Sequence, residues 1–511
     1  MQCIIFTDSK RLADKYRVCQ QDVLNIISSN LLYRKEHDTF LLDAVYYKEE
    51  LNLYNSWSGY KFILQDFIKG MGLEESPSLS LFILGGDDVI PMPRVPNPLG
   101  CEKSIQADFL YCFKEESIEE IDYNHAICNV GRLPMENGLM PRSLEDDLQS
   151  YFNLCSMFYT SYIEVNSVLM TSTQSWIPAS NEMVRNLPII KPKYVFGATK
   201  ECMYISPELS IDNTAAITQY KKDLEDADML VFNLHGTNIH RHASFYGEGI
   251  NGHNTPEVFD IEKLKHSRAR IFNTVACYGG RFIGYNRTES MLLSAIYGGG
   301  VLLYAGSCVS ALGRSGKKHI AVNDILMPTG MSESFMKLYS LYLFSGVSAG
   351  EAFLKAKCDY FNTCRNIDSD ECALATILMF NLFGMPYLYV RPQKNIITEA
   401  CGIKHIRPVP SEKPVYKKVY VKEGGKYDLL GELREKVNEN LLRIHNIVRK
   451  QLYNYWEVES SDLYSVEEIY KTGVQDGFRF IYKDIKAEYI DKSIWIYTDI
   501  NGKVQDVIHL K

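Results

Sequence analysis

The chain has 511 residues, of which 46% are hydrophobic and 23% are charged, a composition typical of a globular protein with several domains. Its formal net charge of −8 provides no basic face of the kind that binds nucleic acid, so we predict no nucleic-acid partner. The sequence shows neither a long apolar run nor a signal-peptide pattern, which predicts no membrane span and a cytoplasmic location, where the 13 cysteines stay reduced.

The first part of the chain alternates strand-like and helix-like stretches. Residues 79–84 form the clearest strand, which stops at Gly85-Gly86-Asp87-Asp88 and precedes a proline-rich loop. Residues 125–130 predict another strand, and residues 143–159 have the spacing of apolar side chains that is typical of a helix. We therefore predict an N-terminal α/β subdomain over residues 1–160.

The same alternation begins again in the second part. The predicted strands cover residues 167–171, 193–196, 229–236, 271–280 and 301–305, and the predicted helices cover residues 181–187, 215–225 and 290–297. Strands that alternate with helices indicate βαβ units and a mostly parallel sheet flanked by helices. We predict a second α/β subdomain over residues 161–394, so the fold class is α/β with two lobes.

A small α+β domain of unassigned role is predicted over residues 395–511. Prolines punctuate residues 386–414, which we interpret as the exit from the second lobe. One helical stripe follows, and an amphipathic stripe of this kind usually packs on its own domain; it contains Leu433, Val437, Leu441, Ile444, Val448 and Leu452. Residues 495–500 and 504–510 predict a hairpin, because Asn501-Gly502 tolerates the positive φ angles of a type I′ turn.

Two neighbouring strands of the second lobe end in reactive side chains. Residues 229–236 form an apolar run that closes on His235-Gly236, and residues 271–280 form one that reaches Cys277 and then Gly279-Gly280. In a parallel sheet the carboxyl ends of adjacent strands lie at one edge, and ligands bind there. The sequence therefore predicts an imidazole and a thiol at the same place.

This pair has the chemistry of a cysteine hydrolase. Cys277 would attack as a thiolate while His235 shuttles protons to and from the reacting groups. Glycine lets the backbone approach a ligand closely, so the N–H groups of Gly236 and Cys277 are candidate donors to an oxyanion. Either residue alone is more often a buried structural side chain, but their position at two successive strand ends favours the catalytic interpretation.

Motifs in a fixed order resemble those of the gingipain-like cysteine peptidases, a family of the caspase-like clan. The matching segments are Leu-Phe-Ile-Leu-Gly-Gly-Asp-Asp-Val-Ile-Pro-Met-Pro-Arg at residues 81–94, Ala107-Asp108-Phe109-Leu110-Tyr111, Asn129-Val130-Gly131-Arg132-Leu133-Pro134, His235-Gly236, Ala276-Cys277 and Phe383-Gly384-Met385-Pro386. The last segment has Met where the family has Asp. The resemblance covers roughly residues 75–392 and stops before the C-terminal domain.

The resemblance implies a caspase–hemoglobinase-like fold and endopeptidase activity, with Cys277 as the nucleophile and His235 as the catalytic histidine. Several relatives cleave after Arg or Lys by means of an acidic residue in the pocket for the P1 side chain. Glu182 is the nearest candidate for that role, and Ser307, Cys308 and Val309 would line the same pocket. The family's acidic partner of the histidine maps to residues 171–174, where this chain has no carboxylate.

Two alternatives remain open, a non-catalytic peptide-binding or regulatory protein on the same fold and a zinc-dependent hydrolase. The second would use His235, His240, His242, His253 and Cys277, although their spacing is not a recurrent zinc pattern. Our main hypothesis needs neither a metal nor a cofactor. It does expect a protein or peptide substrate, and it expects restraint of the protease by a regulatory partner or by the C-terminal domain.

Overall fold

The computed structural model describes most of the chain. The residues outside its description are 1, 31–32, 35–36, 48–55, 75, 77, 101, 174–175, 185–186, 188–193, 197–203, 206–212, 239–242, 248–256, 315–318, 323–324, 329–330, 365–369, 394–414, 422–438, 453–462, 472–473, 484–492 and 511. Across the described residues, no helix combines the length and the apolar character needed to cross a membrane.

The strands are distributed over the whole chain. Up to residue 160 they are β1 (Gln2–Thr7), β2 (Tyr33–Arg34), β3 (His37–Asp43), β4 (Leu79–Leu84), β5 (Arg94–Pro96), β6 (Ser104–Gln106) and β7 (Asn129–Leu133). The next are β8 (Val168–Thr173), β9 (Tyr194–Phe196), β10 (Tyr204–Ile205), β11 (Met229–Asn233), β12 (Ser244–Tyr246), β13 (Glu257–Asp260), β14 (Ile271–Thr274), β15 (Leu303–Ser307), β16 (Leu312–Arg314), β17 (His319–Val322), β18 (Ile325–Pro328) and β19 (Phe380–Gly384). The last are β20 (Val415–Val421), β21 (Leu463–Lys471), β22 (Val474–Lys483), β23 (Ser493–Asp499) and β24 (Val504–Leu510).

Helices connect the strands and cover the sheet. They are α1 (Ser9–Tyr16), α2 (Gln20–Ser29), α3 (Trp57–Gly70), α4 (Ser150–Ser156), α5 (Ile177–Val184), α6 (Asn213–Asp226), α7 (Ile261–Leu264), α8 (Met291–Tyr297), α9 (Met331–Leu343), α10 (Ala349–Cys364), α11 (Asp370–Met379) and α12 (Glu439–Leu452). Polar caps fix several of their starts. The Asp8 side chain accepts a hydrogen bond from the Arg11 N–H at 2.9 Å and begins α1, and Ser290 caps α8 in the same way.

One large sheet forms the centre of the molecule. Among the described residues its strand order is β10-β9-β8-β11-β14-β15-β19-β7-β4-β1-β3-β2. The pairs from β9 to β15 and from β19 to β3 are parallel, whereas β19 runs antiparallel to β15 and the two edge strands β10 and β2 are antiparallel to their neighbours. All residues of β4, β11 and β14 are buried, as expected where helices cover both faces of a parallel sheet.

The N-terminal strands join the rest of the central sheet at β19, which pairs with β15 on one side and with β7 on the other. Two glycines allow this close approach. A Cβ atom on Gly131 would lie 2.5 Å from the Gly384 carbonyl oxygen, and one on Gly384 would lie 1.9 Å from the Leu302 carbonyl oxygen. Gly384 also has a φ of 114°, which side chains rarely adopt. Both glycines belong to motifs that carry the family resemblance, and here they lie where β19 joins its neighbouring strands.

A second, antiparallel sheet in the order β16-β24-β23-β22-β21-β20 contains the C-terminal strands and one strand from the second lobe. The register of the shared edge is Leu312 with Leu510, Gly313 with His509 and Arg314 with Ile508. Trp495 and Ile508 belong to the main hydrophobic core. The C-terminal sheet is therefore attached to the second lobe through both backbone pairing and side-chain packing.

The predicted fold class is confirmed, since the molecule is a mixed α/β protein with a large, mostly parallel central sheet flanked by helices. The helical stripe is confirmed as core within its described part, where Leu441, Ile444 and Val448 are buried in α12. The predicted hairpin is present as β23 and β24, but its turn is not of type I′. Gly502 has a φ of 87° whereas Asn501 is not among the residues with positive φ. The domain boundaries at residues 160 and 394 stay predictions.

Candidate active site

His235 and Cys277 follow two strands that lie side by side. Strands β11 and β14 are parallel neighbours, with Phe232 opposite Thr274 in their register. His235 and Cys277 lie the same number of residues beyond this pair. The Val275 N–H donates to the Phe232 carbonyl at 3.0 Å and keeps the two chains together past the last pair. The structure therefore brings both residues to the carboxyl edge of the sheet, where the sequence predicted them to meet.

The imidazole of His235 lies in an aromatic environment and is only 2% exposed. Its backbone forms an isolated antiparallel bridge with Tyr246, with both N–H···O distances at 2.9 Å. The indole of Trp176 lies against the imidazole, with 4.5 Å between ring centroids and 60° between ring planes. A backbone bridge on one side and an indole on the other fix the orientation of this ring, as general acid–base catalysis requires.

The sulfur of Cys277 receives a backbone donor. The Ala311 N–H donates to Cys277 Sγ, with 3.1 Å between nitrogen and sulfur. Cys277 is 3% exposed, so this hydrogen bond lies largely out of contact with bulk water. A donor directed at sulfur stabilises a thiolate relative to a thiol, because hydrogen bonding to the charged form favours that form. Ala311 directly precedes β16, the strand that the second lobe shares with the C-terminal sheet.

Gly236 lies directly against the backbone of Cys277. A Cβ atom at position 236 would lie 1.7 Å from the Cys277 carbonyl oxygen and 3.2 Å from the Cys277 nitrogen, so no side chain fits there. Among the described residues, no acceptor contacts the Gly236 N–H. That N–H is thus available to stabilise a negatively charged oxygen beside the sulfur.

The chain turns sharply after Cys277. Tyr278 has a φ of 55°, and a left-handed conformation of a residue other than glycine costs about 1–3 kcal/mol. Its N–H donates to the Val309 carbonyl at 2.9 Å, and the Gly280 N–H donates to the Ser307 carbonyl at 2.7 Å. A Cβ atom at Gly280 would lie 2.6 Å from the Gly306 carbonyl oxygen. These contacts to the end of β15 hold the strained turn that carries the thiol.

A cleft of about 360 Å³, part of it open solvent, lies beside this turn. Gly236, Thr237 and Cys277 contribute to its wall. The guanidinium of Arg281 lies over the rings of Tyr278 and Tyr285, at 5.4 Å and 4.7 Å from their centroids. His235 is not among the residues that line the cleft, whereas the adjacent Gly236 and Cys277 are.

Ser307, Cys308 and Val309 lie next to the turn after Cys277 but point into the protein. The Ser307 hydroxyl donates to the Val309 carbonyl at 2.8 Å, and the Cys308 thiol donates to the Gly280 carbonyl at 3.3 Å. Burial raises the pKa of the Cys308 thiol to about 12, so this cysteine is protonated and unreactive. The three residues do not belong to the wall of the cleft. Their role in a P1 pocket stays a prediction.

Glu182 lies on α5, where its carboxylate is 3.8 Å from the ammonium of the buried Lys337. It is not among the residues that line the cleft. The strand end that the resemblance compares with the family's acidic position is β8, whose last residue is Thr173. Gln174 lies outside the described residues. The structure therefore does not bring Glu182 together with Cys277, and its role stays a prediction.

Two of the most distinctive motifs form a buried ion pair. Arg132 on β7 donates to both carboxylate oxygens of Asp108 at 2.7 Å, and its remaining nitrogen donates to the carbonyls of Gly85 and Ile90. Asn381 on β19 accepts a hydrogen bond from the Asp108 N–H. The side chains of Asp108 and Arg132 are almost completely buried. The motifs around them thus build the fold, and neither residue of the pair has a hydrogen bond to Cys277.

No group of three or more metal-ligating side chains occurs among the residues that the structure describes. His240, His242 and His253, which the zinc alternative requires, lie outside the described residues. Sequence reasoning missed Trp176, Glu102 and Ala311 in the site. Glu102 lies in the proline-rich loop before β6 and Ala311 contributes only its backbone, so no sequence pattern pointed to either of them.

The sequence of the chain matches no protein-family model and no curated protein. Its structure is similar to one described as "Structure of Protease", with a TM-score of 0.47 and 10% identity over 100% of this chain and 97% of that chain. It is also similar to the Arg-specific cysteine proteinase gingipain R, with a TM-score of 0.46 and 12% identity over 100% and 97% of the two chains. A third similar structure is a complex of the pro- and mature domains of that proteinase from Porphyromonas gingivalis. It has a TM-score of 0.46 and 12% identity over 100% of both chains. Likenesses at this level assign no activity to the chain.

Proposed function

We propose that this protein is a cysteine peptidase that uses Cys277 and His235. The observation that carries the proposal is the juxtaposition at the ends of β11 and β14. There the Gly236 backbone touches that of Cys277, the sulfur has a backbone donor and a cleft opens beside it. A buried thiol of purely structural function needs neither the open cleft nor the strained turn.

The proposed reaction follows from these positions. His235 takes the proton of the Cys277 thiol, and the thiolate attacks the carbonyl carbon of the scissile peptide bond. The resulting oxyanion is stabilised by the N–H groups of Gly236 and Cys277. The C–N bond breaks, and the imidazolium gives its proton to the leaving amine. Water then attacks the thioester while His235 takes a proton from it, which releases the acid and restores the thiol.

The decisive experiment is peptide-library cleavage by the wild-type protein and by Cys277→Ala. We expect cleavage to fall by at least ~10³-fold in Cys277→Ala, with a melting temperature close to that of the wild type, since the nucleophile is lost and the fold keeps its packing. Cys19→Ala is the matched control, because Cys19 is an exposed thiol remote from the site, and it should keep full activity. Undiminished cleavage by Cys277→Ala would end the proposal.

The same experiment separates the two rivals. A wild-type protein that binds library peptides without cleaving them, and whose Cys277 reacts with iodoacetamide as slowly as an ordinary thiol, would be a peptide-binding protein. Stoichiometric zinc in the purified protein, together with activity that a chelator removes, would indicate a zinc hydrolase.

A finer proposal is cleavage after a basic P1 residue, which rests on the sequence resemblance. Lys337 is close to Glu182, so this carboxylate has to leave a buried ammonium in order to meet a basic side chain. The P1 profile tests the proposal directly. A preference for Arg or Lys that disappears in Glu182→Gln would support it, whereas an unchanged profile in that variant would remove Glu182 from the P1 pocket.

Restraint by the C-terminal domain or by a partner is also part of the proposal. The support for this restraint is the connection between the thiol and the C-terminal sheet. Ala311, the donor to the sulfur, is followed directly by β16, whose pairing with β24 connects the site to the C-terminal sheet. Both His235 and Cys277 are almost fully buried, as in a closed state. Purified, uncleaved protein that is inactive until a ligand is added would support gating, and constitutive activity would contradict it.

A further inference from the structure

The residue after the nucleophile is held by a hydroxyl that contacts three other segments. The Tyr278 hydroxyl donates to Glu102 Oε1 at 2.8 Å and lies 3.0 Å from the Ser310 hydroxyl. Asn238, on the loop that follows His235-Gly236, donates a hydrogen bond from its side-chain amide to the Tyr278 hydroxyl oxygen at 3.2 Å. One phenol oxygen thus connects the turn after Cys277, the segment before β16 and the loop after His235.

Glu102 occupies the centre of these contacts. Its Oε1 accepts from the Tyr278 hydroxyl and also from the Ser310 N–H, both at 2.8 Å, while its Oε2 accepts from the Asn97 amide at 2.8 Å. Burial and the Glu102 carboxylate raise the pKa of Tyr278 above its ordinary value, so the phenol keeps its proton and remains a donor. Asn97 and Glu102 lie in the connection between β5 and β6, which form a separate two-stranded sheet.

Glu102 is hydrogen-bonded to two residues that are adjacent in sequence to Cys277 and to its backbone donor, Ala311. Tyr278 follows Cys277 directly and has the strained left-handed backbone. Ser310 directly precedes Ala311, whose N–H donates to Cys277 Sγ. One carboxylate oxygen therefore holds both the residue that fixes the position of the thiol and the residue that fixes its donor. Charge-assisted hydrogen bonds of this kind are stronger than neutral ones and define geometry well.

We propose that Glu102 is a positioning residue for the Cys277 nucleophile, which it aligns through Tyr278 and Ser310. The inference rests on the proposed function in taking Cys277 as the nucleophile. Glu102 touches neither the sulfur nor a substrate, so its effect is on the geometry of the thiolate and its donor. Displacements of about 1 Å at a reacting atom are sufficient to change rates by large factors.

The test measures the rate of Cys277 alkylation by iodoacetamide from pH 5 to pH 10, with the labelled peptide identified by mass spectrometry. We expect the plateau rate in Glu102→Ala to fall about tenfold or more, because the turn and the Ala311 donor lose their common anchor. Glu102→Gln keeps oxygen acceptors and should stay within about threefold of the wild type. Its profile should move to lower pH, because a negative charge near the thiolate is removed.

Tyr278→Phe removes only the hydroxyl and serves as the second variant should Glu102→Ala fail to fold; we expect a fall of about threefold to tenfold. Glu164→Gln, which alters an exposed ion pair with Arg391, is the matched control and should leave the profile unchanged. Rates and pH profiles that match the wild type in Glu102→Ala, or in Tyr278→Phe if the first variant is unfolded, would overturn the inference. So would equal losses in Glu102→Ala and Glu102→Gln.

Alkylation does not depend on peptide cleavage, so the two proposals fail separately. A protein that cleaves no peptide but whose Cys277 alkylation depends on Glu102 would retain the positioning role and lose the peptidase. In the opposite case, a peptidase whose kcat, KM and alkylation rate are unaffected in Glu102→Ala would lose only the positioning role. For a working peptidase we expect the loss in Glu102→Ala to appear in kcat with KM little changed.

Discussion

The two halves of the central sheet use polar residues in opposite ways. In the N-terminal half, Asp108 and Arg132 are enclosed in a bidentate pair with further hydrogen bonds to carbonyls. In the C-terminal half, Cys277 follows the end of a strand and contributes to the wall of a cleft. The first three of the six motifs described above lie in the N-terminal half, where they build the sheet, whereas His235-Gly236 and Ala276-Cys277 lie in the other half.

Asp108→Ala is expected to have the largest effect, a loss of stability that distinguishes the N-terminal half of the sheet from the half that contains Cys277. This substitution leaves the Arg132 guanidinium buried without its counter-ion, which should lower the free energy of unfolding by about 3–5 kcal/mol. Urea unfolding measures the loss, and Cys277 alkylation in the folded fraction should change by less than about twofold, since neither residue of the pair has a hydrogen bond to Cys277. Glu164→Ala breaks the exposed pair with Arg391 and should cost at most about 1 kcal/mol. A comparable loss in both variants would mean that the buried pair is not structural.

The second half is probed by Gly236→Ala. The new Cβ would overlap the Cys277 carbonyl oxygen, so the two strand ends must separate and the oxyanion donors move. We expect peptide cleavage to fall about 10²-fold, the loss typical of removing an oxyanion donor. Gly70→Ala is the control, because a Cβ there has open space around it. Activity retained by Gly236→Ala would show that the tight contact is unrelated to catalysis.

The smallest effect is expected outside the central sheet, in the C-terminal domain. Burial and the nearby Arg449 lower the pKa of His445 from 6.5 to about 4, and its ring stacks on Phe480 and Tyr482. The unfolded chain therefore takes up the proton first as pH falls. The contribution of His445 to stability is present above pH 6.5 and is lost between pH 6.5 and pH 4.

Because the pKa of His445 is lower in the folded protein than in the unfolded chain, we expect its titration to make the free energy of unfolding about 2 kcal/mol smaller at pH 5 than at pH 7.5. Urea unfolding of the wild type and of His445→Leu at both pH values isolates the effect, because the variant lacks this titrating group. The two proteins should differ in their pH dependence by that amount. Equal pH dependence would show that the imidazole is not buried in its neutral form.

The positions of His235 and Cys277 were predictable because local patterns encode them. Each lies near the end of a largely apolar run that is followed by glycine, and the rule that parallel strands share a carboxyl edge then brings them together. The sheet order near them follows from the same βαβ logic. The junction at β19 was not predicted, since the chain there passes from α11 directly into a strand that runs against its neighbour.

The surroundings of the thiol were not predictable from sequence, because they depend on contacts between distant segments. Glu182 was chosen for its proximity along the chain, whereas in space its charge faces Lys337. Glu102 reaches Tyr278 from the connection between β5 and β6, which is distant along the chain, and no local sequence pattern indicates this contact. The donor to the sulfur is a backbone N–H of Ala311, a group that every residue type but proline would provide.

The strand shared between the second lobe and the C-terminal sheet has a consequence for biosynthesis. Strand β16 ends at Arg314, and its partner β24 begins only at Val504. A ribosome that adds about 5–20 residues per second needs roughly 10–40 seconds to synthesise the residues between these two strands. During that time β16, which follows Ala311, has no β24 to pair with. The edge strand next to Ala311 therefore gains its pairing partner only after most of the central sheet has been synthesised.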